Sequence, residues 1–121
     1  MSEAHNLGIE GEELAVKFLK DAGYKILFRN WTFGKLEVDI IAENNEFLVF
    51  AEVKTRTEDF LAPIQTLISR EKQRSIIFAA EGYVKRYRVD KESRFDVIMV
   101  TKKKDGFEIE HIADAFYPSI K

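Results

Sequence analysis

The residues best suited to chemistry lie on two short runs, Leu36 to Ala42 (LEVDIIA) and Phe47 to Thr55 (FLVFAEVKT). Side chains two apart on an extended strand share a face, which groups Glu37 with Asp39 on the first run and Phe50, Glu52 and Lys54 on the second. Asn44-Asn45 between the runs is a tight-turn pair. A two-residue turn there sets Asp39 opposite Phe50 and Glu37 opposite Glu52, with Asp39 diagonal to Glu52. All four polar groups then share one face, an arrangement that a bulge or a longer loop would break. Three carboxylates at such spacing repel one another and ask for a cation. Lys54 supplies one, and hard oxygen ligands without cysteine or a neighbouring histidine favour Mg²⁺ or Mn²⁺ over Zn²⁺. An exposed sheet face carrying a plain Glu/Lys pair accounts for the same spacing without a metal.

The elements that must position these groups follow from periodicity. Leu7, Leu14, Ala15, Phe18, Leu19 and Ala22 recur at helical spacing between Asn6, a capping residue type, and Gly23, which suits a left-handed C-terminal position. The first helix is therefore expected over 7–22. Tyr24 to Thr32 is aromatic and rich in strand formers. Beyond a loop around 59–69 that contains Pro63, the residues Gln73, Ile76, Ile77, Ala80, Val84 and Tyr87 mark a second helix, N-capped by Ser69 and ending near Tyr87 or Arg88. Arg94 to Thr101 reads as a buried strand, and Asp105-Gly106 turns it into a last strand, Phe107 to Ala113. The order α-β-β-β-α-β-β predicts one α/β domain over 1–121, a mixed sheet flanked by helices.

A chain of 121 residues, 45% apolar and 33% charged, has the composition of one compact domain. It is long enough to build a core without staples. The lack of cysteine excludes a disulfide scaffold, a thiolate zinc site and a cysteine nucleophile. No apolar run approaches the ~18 residues of a membrane span, and no basic-then-apolar leader opens the chain, so a cytoplasmic protein without a membrane partner is expected. The net charge of −2 argues against an indiscriminate polyanion binder. Its distribution is uneven: residues 1–69 carry 7 basic against 12 acidic groups, residues 70–104 carry 11 against 5, and residues 105–121 carry 1 against 4. The basic segment fits nucleic-acid contact and a solvated helix face equally well. Lys85, Arg86 and Arg88 complement a helix dipole, and Lys102-Lys103-Lys104 fits a solvated hairpin tip. Trp31 and Phe33 border a loop and suit core or dimer packing better than base stacking. His5 and His111 lie far apart, so no histidine pair is expected.

Asp39, a twelve-residue gap and Glu52-Val53-Lys54 look like the PD-(D/E)XK nuclease signature. A wider set carries a more specific likeness. Gly8, Gly11-Glu12, Ala15, Phe18-Leu19, Gly23-Tyr24, Arg29-Asn30, Glu37 to Ala42, Phe50 to Arg56, Pro63, Lys72 and Arg94 to Val97 resemble the small bacterial YraN-like family of endonuclease-like proteins. That family is similar to archaeal Holliday-junction resolvases. The resemblance implies a restriction-endonuclease-like α-β-β-β-α-β core with an added C-terminal strand, and a Mg²⁺- or Mn²⁺-dependent endonuclease acting on DNA rather than RNA, branched or structured DNA included. Carried over by position, Asp39 and Glu52 would hold the metal, the Val53 carbonyl would complete its protein ligands, and Lys54 would orient or deprotonate the attacking water. Glu12 matches a helix glutamate that binds metal directly or through water; as a first-turn carboxylate it also favours the helix dipole. Glu37 fits an outer-sphere ligand or a fold feature. Arg56, Arg70, Lys72 and Arg74, close to these acids in chain order, would grip flanking phosphates, with Lys72 the one the resemblance picks out.

Three positions depart from the family pattern: Leu36 where glycine is usual before the first acid, Leu61-Ala62 where the loop after the third strand tends to have glycine, and Ala51 where valine or phenylalanine is commoner. Cutting two strands symmetrically implies a homodimer, since one domain offers one site. The alternative reading is a nucleic-acid-binding or partner-binding module that keeps the nuclease fold with little or no turnover.

Overall fold

The computed structural model describes residues 3–59 and 68–118. Helix α1 (Glu3–Asp21) precedes strands β1 (Lys25–Phe33), β2 (Leu36–Glu43) and β3 (Phe47–Thr57), then come helix α2 (Arg70–Tyr87) and strands β4 (Glu92–Lys103) and β5 (Gly106–Phe116). The five strands lie in chain order in one sheet. Every neighbouring pair is antiparallel except β3 and β4, which run parallel with α2 as the crossover. This is the mixed α/β sheet flanked by helices that the order of elements predicts, and it is consistent with the restriction-endonuclease-like core that the resemblance implies.

The two faces of the sheet carry separate cores. Ala15, Val16 and Leu19 of α1 pack with Ile40, Ala42, Val49, Ala51, Ile98 and Val100. Ile76, Ala79, Ala80 and Tyr83 of α2 pack with Ile41, Leu48, Phe50, Phe95 and Val97 on the other face. Alternate residues of β3 and β4 feed alternate cores, which is why both read as nearly continuous apolar runs. Trp31 belongs to the α2 side, stacked on Phe33 with centroids 5.9 Å apart and edge-on to Tyr83 at 5.2 Å. Both aromatics thus pack within the domain.

Helix α1 starts at Glu3, earlier than Asn6 allows as a cap, and the Glu3 carboxylate in the first turn complements the dipole there. Its end follows the pattern: Gly23 at φ +96 lets Tyr24 N–H reach the Leu19 carbonyl (2.9 Å) and Gly23 N–H the Lys20 carbonyl (3.0 Å). Ser69 caps α2 by accepting from Lys72 N–H at 3.0 Å. Arg88 closes that helix in the left-handed conformation at φ 51. Pro63 and Leu61-Ala62 lie outside the described residues.

The β2–β3 register differs from expectation. Asn44 Oδ1 accepts from Glu46 N–H (3.0 Å) and Phe47 N–H (2.8 Å), while Asn44 N–H donates to the Phe47 carbonyl (3.1 Å). The turn therefore centres on Asn45-Glu46, one residue later than a turn on Asn44-Asn45, and Ile41 pairs with Phe50 and Ile40 with Ala51. Each β2 residue faces a partner two positions further along β3. A shift of two preserves every face and replaces the expected Asp39–Phe50 opposition.

One buried ionic network ties β4 to its surroundings on the α1 side. Asp96, fully buried, accepts from Arg94 Nε (2.9 Å) and Nη2 (2.7 Å) and from Asp114 N–H (3.0 Å), and lies 2.7 Å from His111 Nε2. Arg94 Nη2 also donates to Tyr24 Oη at 2.6 Å. Burial raises the Asp96 carboxyl, but the bonds from His111, Arg94 and Asp114 outweigh it and hold the group below its ordinary value.

Candidate active site

The β2–β3 ladder opens into a fork at the expected acids. Paired residues stop at Ile40 and Ala51; beyond them β2 stays on β1 through Glu37 and Leu36, and β3 stays on β4 through Thr57. Val53 N–H, at the crotch of the fork, donates to Asp39 Oδ2 at 2.8 Å. The strand also changes face here. Val38 lies in the α2-side core and Ile40 in the α1-side core, although residues two apart normally share a face. In β1 the matching position is Asn30, at φ 52 between the Arg29–Ile40 and Trp31–Val38 pairs. Asparagine is among the few residues that take this conformation readily.

Glu52 projects toward the N-terminus of α2. It is only 3% exposed, its Oε1 has no hydrogen-bond partner, and its Oε2 is 3.5 Å from Lys72 Nζ. Burial and the neighbouring Asp39 carboxyl push the Glu52 carboxyl up to about 8, against the opposing pull of the Lys72 and Lys54 ammoniums. Asp39, Glu52, Lys54 and Lys72 thus form one electrostatic group. Lys54 is half-buried beside Met99 of β4. Lys72, expected on phosphate, is turned toward a carboxylate instead.

Glu12 stands apart from this group, and because α1 begins at Glu3 it lies in the third turn of that helix and not the first, where its charge would have favoured the dipole. Its Oε1 accepts from Asn30 Nδ2 at 2.8 Å and lies 3.4 Å from Arg29 Nη2, which also pairs with Glu13 at 2.9 Å. A cleft of about 380 Å³ nonetheless has Glu12 on one wall and Asp39 and Val53 on the other. Gly11 makes that approach possible: a Cβ there would collide with the Thr55 Cγ2 methyl, so only glycine lets α1 lie this close to β3. Glu37 pairs with Thr32 of β1 and is exposed, and the expected cluster of three carboxylates is not formed.

Among the described residues no three His, Cys, Asp or Glu side chains are grouped to hold a metal ion. Two carboxylates and the Val53 carbonyl remain. This donor set suits a hard cation that keeps several of its waters, as Mg²⁺ does, and the orphaned Glu52 Oε1 is an oxygen donor lacking a partner. Arg56 Nε donates to Thr101 Oγ1 at 3.2 Å, while Arg70 and Arg74 are exposed on the first turns of α2. His5, Gly8 and Ile9, which line the cleft with Glu12, escaped the sequence reading as a set. Their i, i+3, i+4, i+7 spacing was the available signal.

No helix among the described residues is long and apolar enough to cross a membrane. A family model described as "Uncharacterised protein family UPF0102" matches residues 11–100. A UPF0102 protein of Flavobacterium psychrophilum is 47% identical over 118 residues, covering 97% of this chain and 98% of the relative. One from Parabacteroides distasonis is 42% identical over 117 residues, covering 97% of each.

Proposed function

Because the chain belongs to the uncharacterised UPF0102 (YraN-like) family, whose name carries no activity, we propose from its site that it is a metal-dependent endonuclease hydrolysing phosphodiester bonds of DNA, branched or structured DNA included. The observation that carries this reading is the buried Glu52, with an orphaned oxygen, beside Asp39 and two lysines at the fork of the sheet. A carboxylate so costly to bury, left half-satisfied, has no packing rationale.

In this reading Asp39, Glu52 and the Val53 carbonyl hold Mg²⁺ or Mn²⁺. When bound, the ion would neutralise the scissile phosphate and lower the pKa of the attacking water. Lys54 orients that water and offsets charge developing on the phosphate in the transition state. Lys72 balances Glu52 and fixes its rotamer from α2. Glu12, held by Asn30 and Arg29, contributes through water. Arg56, Arg70 and Arg74 hold phosphates on either side of the cut. For a substrate with two strands to cut, the reading entails a two-fold dimer, which light scattering at micromolar concentration reads directly.

The test is Mn²⁺-dependent cleavage of labelled single-stranded, duplex, flap and four-way-junction DNA, with an RNA counterpart. Cleavage should vanish in Glu52→Ala, and Lys54→Ala should keep fold and metal affinity while losing about 10²-fold or more in rate. A fully active Lys54→Ala protein would sink the mechanism. Salt-sensitive binding without cleavage, surviving Glu52→Ala, would mark a binding module on a nuclease fold.

A further inference from the structure

We propose that the cleft between the first turns of α1 and the Asp39 end of β2 seats one unstacked nucleoside of the substrate, so that the protein prefers strands with an unpaired residue at the point of cutting over intact duplex. This rests on the nuclease reading and adds the substrate class to it.

Gly8 is the first observation. It lies inside α1, where glycine weakens a helix relative to alanine, and nothing lies within 4 Å of where its Cβ would be. Neither packing nor backbone conformation requires a glycine there, unlike Gly11 one turn later. What the missing side chain does is keep the cleft open, since Gly8 is part of its wall. Ile9 at the rim is 49% exposed, a large apolar side chain offered to solvent on the same helix face. The cleft's volume of about 380 Å³ falls in the range of small-ligand sites.

Charge selects the occupant. Lys54 and Lys72 face Glu52 on the other side of the fork, and a cation held by Asp39 and Glu52 would draw the phosphate there, whereas the cleft beyond Asp39 is lined by His5, Gly8, Ile9 and the Glu12 carboxylate that Arg29 pairs. The backbone phosphate therefore stays on the lysine side and an uncharged sugar and base enter between the helix and the strand. Gly8 and Ile9 give a base face apolar contact, and the Glu12 carboxylate accepts from ring or exocyclic N–H groups and sugar hydroxyls. A base paired and stacked in a duplex cannot reach such a cleft; one that is unpaired can, at little cost.

The experiment uses the full chain with Ca²⁺ in place of Mg²⁺ and follows fluorescence anisotropy of a labelled single strand and of the same strand in a blunt duplex. Wild type should bind the single strand about tenfold tighter or more. Gly8→Leu, which fills the cleft, should lose about tenfold on the single strand, leave duplex and Mn²⁺ affinities unchanged, and melt no lower than wild type because leucine is the better helix former. Gly8→Ala, a smaller intrusion that keeps the fold secure, should fall between. Equal binding of the two DNAs by wild type, or an undiminished preference in Gly8→Leu, overturns the proposal. Absence of cleavage with the preference intact would overturn the nuclease reading and leave the cleft a binding site; cleavage with no effect of Gly8→Leu would overturn the cleft alone.

Discussion

Glu52 sets stability against chemistry. Its carboxyl, raised from 4.5 to about 8 by burial and by Asp39, holds a proton in the folded protein over a range where the unfolded chain has released it. Folding stability of the metal-free protein should therefore fall as pH rises from about 5 to about 8. Glu52→Gln cannot ionise, so its melting temperature should match wild type near pH 5 and exceed it by pH 9; parallel curves would show that Glu52 carries no such proton. The same proton must leave before a cation binds, so Mn²⁺ affinity measured by calorimetry should rise up to about tenfold per pH unit across that window. Asp96 behaves oppositely, its depressed carboxyl stabilising the fold above its ordinary value and losing that contribution only in acid. Asp96→Asn leaves the Arg94 guanidinium without its ionic partner and should cost about 3 kcal/mol in urea unfolding. That network was not legible from the sequence, because Asp96 and His111 are fifteen positions apart and meet only through the β4–β5 pairing.

At the scale of elements, the sequence disclosed order and type well and placement less well. Helical spacing identified both helices, and runs of aromatic, β-branched and apolar residues bounded by turn residues identified all five strands. The hairpin was harder: Asn44 and Asn45 are equally good turn residues, and only the Asn44 side chain's bonds to Glu46 and Phe47 decide between them. On β3 the face logic survived because the slip was even, whereas on β2 it failed at Glu37. The reversal at Asp39 was not foreseen, since period-two reasoning has no way to mark a left-handed Asn30 in the neighbouring strand. Seating of α1 on β3 gives a prediction of its own. Gly11→Ala should destabilise by about 1–3 kcal/mol, read as a lower melting temperature, because the added methyl overpacks against Thr55.

Across the whole molecule, the net charge of −2 hides a division of labour within the basic segment. Lys72 turns inward to Glu52, while Arg70 and Arg74 stay exposed on either side of it. Replacing both arginines with alanine should weaken binding similarly for every nucleic acid tested and reduce the log–log salt slope by about 1.4–1.8, as expected for two lost phosphate contacts. An unchanged slope would remove them from the interface. The parallel β3–β4 pair also has a kinetic consequence. Asp39 and Glu52 meet through a hairpin, a contact formed between near neighbours in the chain, whereas Phe47 reaches Glu92 and Arg56 reaches Thr101 only after a closure of 45 positions. Loop-closure entropy opposes that step, so the acids are expected to come together before the crossover seats Lys72 against β3, and pulsed hydrogen exchange that protected β4 before the β2–β3 hairpin would overturn that order. A chain caught partway to the native state would thus display the acidic half of its site without the lysine that balances it.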